Sequence, residues 1–370
     1  MRLCIAGGGT GGHVFPALAT AAAVRARAPE AALLFVGTAS GLEARLVPSA
    51  GYPFETIRVR GLKGKGLAER LTASLLLPWA FEESRRILAR FAPDVVWGVG
   101  GFGAGPVLLA AALGGTPTVL HEQNAVPGMT NRLLCRVATA VAVSLEAAAA
   151  HLPARRLTVT GNPVRADLFG HPREASRELF GLARERRTLL VFGGSQGARG
   201  LNEAMRGGAA ALAALRAELQ VLHATGERDR EAVAAAYAAA GIRAVVLPFI
   251  DAMGAAYAAA DLVICRAGAT TVAELAALGK PAILVPFPHA AGDHQRHNAE
   301  ALAAGGGAVM ILERDLTPAL LAGRVRELIE DPVRLAIMAR SAAAAGRPNA
   351  AERLADLLFE VAGTAGRREA

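Results

Sequence analysis

The chain opens with RLCIAGGGTGGHVFPALATAAAV at residues 2–24, and the order of residue types in that stretch decides the fold. Residues 2–6 form an apolar run of strand length. Five glycines then surround Thr10 within residues 7–12. His13, Pro16 and an alanine-rich segment to residue 28 follow, and alanine has the highest intrinsic helix propensity. Strand, glycine loop and helix in that order open a doubly wound α/β domain. The order restarts at residues 188–198, TLLVFGGSQGA, ahead of a second alanine-rich helix running to about residue 219.

Working outward, apolar runs bounded by turn residues predict strands at 33–37, 54–59, 94–97, 118–121, 138–143 and 157–160, with a helical region at 71–90. After the restart they predict strands at 220–224, 244–247, 262–265, 282–285 and 308–311, and a helix at 271–277. Strands alternating with helices imply a parallel sheet covered on both faces. The 370 residues suggest two domains at about 150 residues each. We place them at 1–162 and 163–345, joined through Gly161-Asn162-Pro163. A helical segment at 346–370 follows, for which packing back on the first domain is one option.

The 40 basic and 32 acidic side chains leave a net charge of +8. Residues 1–164 carry sixteen basic and nine acidic side chains, and the remainder twenty-four and twenty-three, so the excess lies in the first half. Nucleic acid, anionic lipid or a phosphorylated substrate would each suit it, and so would simple solubility. The three cysteines, Cys4, Cys135 and Cys265, stand among apolar residues without metal-binding or disulfide spacing. No signal peptide or membrane-spanning run is evident, so a cytosolic compartment is expected.

The loops carry the chemistry. A glycine loop ahead of a helix N-terminus lets backbone N–H groups approach an anion. Neither loop has the ribose-binding acid of a dinucleotide site, because Gly37, Thr38 and Ala39 end the second strand; neither has a P-loop lysine. Tight turns alone remain an alternative. His13, at a helix start, suits a neutral imidazole that takes a proton from a hydroxyl, or it caps the helix. His121, Glu122, Gln123 and Asn124 end another strand, where α/β folds bind ligands. Asn124 is the best substrate contact by position, whereas His121 also fits a structural role. Arg266, Gly268, Ala269, Thr270, Thr271 and Glu274 straddle a strand-to-helix junction suited to a diphosphate. Glu274 either completes a capping box with Thr271 or accepts from two ribose hydroxyls. Asp293, His294 and Gln295 form a polar cluster that lacks metal-site spacing.

Seven stretches together resemble glycosyltransferase family 28, the bacterial transferases that add N-acetylglucosamine to lipid I. They are GGGTGGHVFP at 7–16, GLKGKG at 61–66, HEQNAVPG at 121–128, GNPVR at 161–165, GGSQGA at 193–198, CRAGATTVAE at 265–274 and DHQ at 293–295. The resemblance implies two Rossmann-like α/β domains facing a cleft, the glycosyltransferase B type. The carboxyl half would bind UDP-N-acetylglucosamine and the amino half the lipid acceptor. It implies ligand contacts at Thr10, Gly11, Gly12 and Asn124, and donor contacts at Arg165, Ser195, Ile250, Ala269, Thr270, Thr271, Val272, Ala273, Glu274 and Gln295. Ile250 would recognise uracil through its backbone, Glu274 the ribose, and His13 would be the general base. No cofactor, essential metal or nucleic acid is implied.

The implied reaction is inverting: the 4-hydroxyl of the muramyl sugar attacks C1 of the donor sugar, forms a β-1,4 link and releases UDP, giving lipid II for peptidoglycan. Peripheral attachment to the cytoplasmic face of the inner membrane is expected, and membership of a cell-wall synthesis complex is compatible with it. Leu75, Leu76, Leu77, Trp79 and Phe81, with Lys63, Lys65, Arg70, Arg85 and Arg86 around them, form either an anionic-membrane patch or an ordinary buried helix. The rival readings are a transferase acting on another lipid, a sugar-nucleotide epimerase of the same twin fold, and a nucleic-acid module. The last is disfavoured by the scarcity of aromatic stacking platforms.

Overall fold

The computed structural model describes residues 1–59, 76–194 and 197–365. The predicted stretches GLKGKG and Ser195, with Lys63, Lys65, Arg70 and Leu75, lie outside the described residues. Contacts divide the chain into two compact units: Met1–Arg165 together with the segment from Pro348, and Ala166–Arg347. Each is a parallel sheet with helices on its faces, the twin Rossmann-like architecture of the glycosyltransferase B type.

In the first unit, β1 (Arg2–Ala6), β2 (Ala32–Gly37), β3 (Phe54–Thr56), β4 (Val95–Gly98), β5 (Thr118–Glu122), β6 (Ala140–Val143) and β7 (Leu157–Val159) lie in the order β3-β2-β1-β4-β5-β6-β7. Every pairing is parallel. Strands covered on both faces read as continuous apolar runs, which is why Leu3, Cys4, Ile5 and Ala6 are all buried. The third strand is shorter than predicted, because the chain turns beyond Ile57 and Val59 N–H donates to Ile57 C=O. The helix expected within 71–90 is seen at Leu77–Phe91.

Two hydrophobic clusters fill this unit. In one of them Leu354, Ala355, Leu358 and Val361 of the final helix Ala350–Ala365 pack with Leu3, Val24 and Trp97. The last helix therefore belongs to the core of the first unit.

In the second unit, β8 (Arg187–Phe192), β9 (Leu219–Ala224), β10 (Arg243–Leu247), β11 (Leu262–Cys265), β12 (Ala282–Leu284) and β13 (Ala308–Met310) lie in the order β10-β9-β8-β11-β12-β13, again all parallel. In both sheets strand order reverses beside the opening strand: β1 lies between β2 and β4, and β8 between β9 and β11. Open α/β sheets bind ligands outside the carboxyl ends of strands at such switch points. The glycine loops therefore occupy the ligand-binding edge of each sheet. The three cysteines are free and buried; burial raises the Cys4 thiol to about 12.

Candidate active site

At the first switch point the loop after β1 runs through Gly7, Gly8 and Gly9, all at positive φ, into the helix Gly11–Arg27. Thr10 is the N-cap, with its backbone carbonyl accepting from the N–H of His13 and Val14. Its hydroxyl caps no backbone group; Thr10 Oγ1 lies 3.2 Å from His13 Nδ1 and fixes the imidazole instead. Gly11, Gly12 and His13 are half-buried on the first turn. A Cβ at Gly100 would lie 3.0 Å from His13 Nε2, so the turn after β4 passes directly over the ring. Arg165, at the end of the first stretch of this unit, stacks its guanidinium 4.7 Å from the Phe15 ring centroid on the same helix.

The polar tetrad after β5 separates into a framework and a presented group. Glu122 is buried: its Oε1 accepts from Asn124 N–H at 2.9 Å and Asn124 Nδ2 at 3.1 Å, and its Oε2 from Asn131 Nδ2 at 2.8 Å. Gln123 Nε2 donates to Val99 C=O at 2.5 Å. His121 is buried beside the Gly161 carbonyl at 3.3 Å, and desolvation lowers its pKa to about 4. It stays neutral at pH 7 and is a structural group. Asn124 alone of the four is half-buried, held by Glu122 at the ligand edge.

At the second switch point the loop after β8 leads into the helix Arg199–Leu212. A Cβ at Gly197 would meet Thr225 C=O at 2.0 Å, and its φ is +74°, so the loop can close onto β9 only with glycine there. The loop after β11 leads through Gly268, the N-cap, into the helix Ala269–Ala277. Ala269, Thr270, Thr271, Val272, Ala273 and Glu274 make up its first turns. The capping-box alternative for Glu274 is overturned. The helix starts ahead of Thr271 and has no side-chain cap, and Glu274 Oε2 accepts instead from the Tyr257 hydroxyl at 2.8 Å. Tyr257 is fully buried and edge-on to Phe192. A buried carboxylate is thus aimed by a rigid phenol.

Gln295 Oε1 accepts from Ala267 N–H at 3.2 Å and Phe287 N–H at 2.9 Å, tying the ends of β11 and β12 together and fixing which way its amide nitrogen faces. Arg266 is spent internally, since its guanidinium donates to Glu313 and to Val285 C=O. Ile250 buries its side chain beyond β10, beside the exposed Phe249. The second unit therefore gathers Glu274, Gln295 and residues 269–273 around the end of β11, while Ile250 stands beyond β10. Among the described residues, no cluster of three or more His, Cys, Asp or Glu is placed to hold a metal ion.

Sequence reasoning missed two side chains, one in each unit. Glu43 sits beneath the first glycine loop, and Tyr257 orients Glu274. No local signal marks either: Glu43 follows β2 on a separate short helix, and Tyr257 lies in an alanine-rich run.

Residues 3–143 match the glycosyltransferase family 28 N-terminal domain and residues 188–354 the glycosyltransferase family 28 C-terminal domain. This chain belongs to glycosyltransferase family 28. It is 52% identical over 362 residues to the UDP-N-acetylglucosamine–N-acetylmuramyl-(pentapeptide) pyrophosphoryl-undecaprenol N-acetylglucosamine transferase of Anaeromyxobacter sp. strain K, covering 98% of this chain and 93% of that one. The crystal structure of MurG from Acinetobacter baumannii superposes with a TM-score of 0.79 at 35% identity, covering 97% of this chain and 99% of that one. The UDP-GlcNAc 2-epimerase from Neisseria meningitidis bound to UDP-GlcNAc gives a TM-score of 0.70 at 13% identity, over 97% of this chain and 100% of that one, a likeness of fold alone. For this family 28 chain, the transferase reading thus has sequence identity behind it, whereas the epimerase reading has only shape.

Proposed function

We propose that the chain transfers N-acetylglucosamine from UDP-N-acetylglucosamine to the 4-hydroxyl of the muramyl sugar of lipid I, forming lipid II for peptidoglycan synthesis. The observation that carries this reading is the Tyr257-held carboxylate of Glu274 on the first turns of a helix that opens from a switch point, in a chain half identical to a transferase of that name. An ionised carboxylate only accepts hydrogen bonds and has several acceptor sites, which suits it to ribose hydroxyls. The helix N-terminus, with its dipole and N–H groups directed outward, favours a diphosphate. The Ile250 backbone takes the uracil and Gln295 Nε2 the donor sugar. Arg165 and Ser195 are further donor contacts.

The acceptor oxygen forms its bond to C1 as the bond from C1 to the UDP oxygen breaks. UDP leaves with the electron pair, and His13 takes the hydroxyl proton. Thr10, Gly11, Gly12 and Asn124 hold the reacting sugars. Orientation and stabilisation of the departing diphosphate supply most of the acceleration, because UDP is already an acceptable leaving group. The test is UDP release from UDP-N-acetylglucosamine with and without a lipid I analogue. Release is expected only with the acceptor, alongside a disaccharide product. Consumption of donor without acceptor would support the epimerase alternative.

Attachment to the cytoplasmic face of the inner membrane, alone or within a cell-wall complex, is part of this proposal. No helix among the described residues is long and apolar enough to cross a membrane. The first unit does expose Leu77 and Trp79 on one helix, Leu109 and Leu113 on the next, and Met129 and Leu133 on a third. Trp79 is 63% exposed, whereas Ala80 and Phe81 turn into the core, so the expected patch is half surface and half packing. Arg85 and Arg86 both pair with Glu82, which tempers the charge they offer a membrane. Sedimentation with vesicles should show binding to anionic bilayers that weakens with salt. Trp79→Ala should weaken it roughly tenfold by removing buried apolar area. Equal binding to neutral vesicles at any ionic strength would sink the electrostatic part.

A further inference from the structure

Gln123 is a buried amide with only its nitrogen engaged. It follows β5 directly and is 3% exposed. Its Nε2 donates to Val99 C=O at 2.5 Å and to His121 Nδ1 at 3.3 Å. An amide nitrogen only donates, so His121 Nδ1 is the acceptor and the His121 proton sits on Nε2. That nitrogen lies 3.3 Å from Gly161 C=O and donates to it. Burial lowers the His121 pKa to about 4, so the ring is neutral and keeps this role at pH 7. Both amide hydrogens of Gln123 are therefore committed, and the direction of its oxygen is fixed.

The oxygen is turned toward His13. Gln123 Oε1 is buried and has no hydrogen-bond partner among the described residues. A Cβ on Gly100 would lie 3.3 Å from that oxygen, 3.0 Å from His13 Nε2 and 2.9 Å from His13 Cδ2. Ring and amide thus border the same point, and a glycine at φ +95° leaves that point open. Beside the other ring nitrogen, Thr10 Oγ1 lies 3.2 Å from Nδ1. A buried carbonyl oxygen without a donor is costly, and the imidazole supplies a donor once Nε2 carries a proton.

We propose that Gln123 is the positioning residue of the base: its amide oxygen, aimed by Val99 and His121, receives the N–H that forms on His13 Nε2. This deepens the transferase reading and rests on it. The Nε2 lone pair takes the proton of the acceptor hydroxyl, and the electrons of that O–H bond stay on the oxygen that bonds to C1. The new N–H donates to Gln123 Oε1, and Nδ1–H to Thr10 Oγ1. Before transfer two acceptors meet at Gly100; afterwards one of them has become a donor, which favours the protonated ring. The titratable and charged groups on the surrounding elements are His121 and Glu122 of β5, Glu43 beneath the glycine loop and Arg165 against Phe15. His121, being neutral, does not oppose the imidazolium.

The experiment follows the His13 ring by proton–nitrogen NMR in full-length protein labelled with nitrogen-15 histidine, titrated over pH. It compares wild type with Gln123→Met, which removes the amide at similar length, and Gln123→Glu, which keeps an acceptor oxygen at the same reach. In Gln123→Met the His13 midpoint should fall by about one pH unit, and in Gln123→Glu it should stay at or above the wild-type value. In turnover, Gln123→Met should lose roughly tenfold in kcat with both KM values within about twofold, and Gln123→Glu should recover part of it. A merely structural role predicts equal losses in both variants and no ordered shift of the midpoint. The titration needs no turnover, so its outcome is separate from that of the transferase reading. An unmoved His13 midpoint in Gln123→Met overturns the proposal, and so does the same fall in both variants. Should Gln123→Met fail to fold, Gln123→Asn, which draws the amide back by one methylene, replaces it with the same expected fall.

Discussion

Replacing His13 with alanine is expected to lower kcat by roughly 10²–10⁴-fold at saturating substrates, the usual contribution of a positioned general base. Both KM values should change far less, because the imidazole acts when the proton moves and adds little to ground-state binding. Two features support the role. The ring stands on the first turn of the helix Gly11–Arg27, at the ligand-binding edge of the first sheet. Thr10 Oγ1, 3.2 Å from Nδ1, holds the ring plane and leaves Nε2 at the edge beneath Gly100. His121 provides an internal control. It lies on the same unit but is fully buried, and its pKa falls to about 4, so it cannot exchange protons with a bound hydroxyl. The measurement is single-turnover transfer with a lipid I analogue. Turnover of His13→Ala within a factor of three of wild type would assign the base elsewhere.

The second large effect is expected at the donor. Glu274→Ala should weaken UDP-N-acetylglucosamine binding by about 100-fold, corresponding to about 2–3 kcal/mol for charge-assisted hydrogen bonds. The carboxylate is 9% exposed, so truncation also removes the group to which the buried Tyr257 hydroxyl donates. Tyr257→Phe tests the same geometry from the other side. It keeps the edge-on ring packing against Phe192 and removes the hydroxyl that donates to the carboxylate. Its donor affinity should therefore fall by about tenfold. Titration calorimetry with UDP-N-acetylglucosamine and with UDP reads both variants. A ribose role requires UDP and the sugar nucleotide to lose affinity together. Loss confined to the sugar nucleotide would move Glu274 from the ribose to the transferred sugar.

Much of this was legible along the chain because its physics is local. The five glycines around Thr10 and the restart at residue 188 identify two strand–loop–helix openings, and β1 and β8 stand at the switch points of their sheets. Continuous apolar runs announced strands covered on both faces. Gly197 was legible as part of a glycine loop, but the reason it must be glycine, the Thr225 carbonyl 2.0 Å from any Cβ, comes from a neighbouring strand. The tetrad at residues 121–124 was legible as polar and strand-terminal. Its division into three buried framework groups and one presented amide was not, because hydrogen bonding to residues 99, 131 and 161 decides it. Glu274 read equally well as a cap or a ligand group. Only the start of the helix ahead of Thr271 and the arrival of Tyr257 from another helix separate the two.

The opening stretch shows the same division. By itself the sequence determined the strand, the glycine loop, the helix that follows and the family to which the chain belongs, since these depend on residue order and backbone freedom. Tertiary structure decided what the loop offers a ligand. Glu43, brought from beyond β2, takes the Gly9 amide, while Val36 and Gly100 take the other two. Hydrogen-bond capacity is a finite quantity shared among groups distant in sequence, so which amides of a glycine run are already engaged is set by its neighbours in the fold.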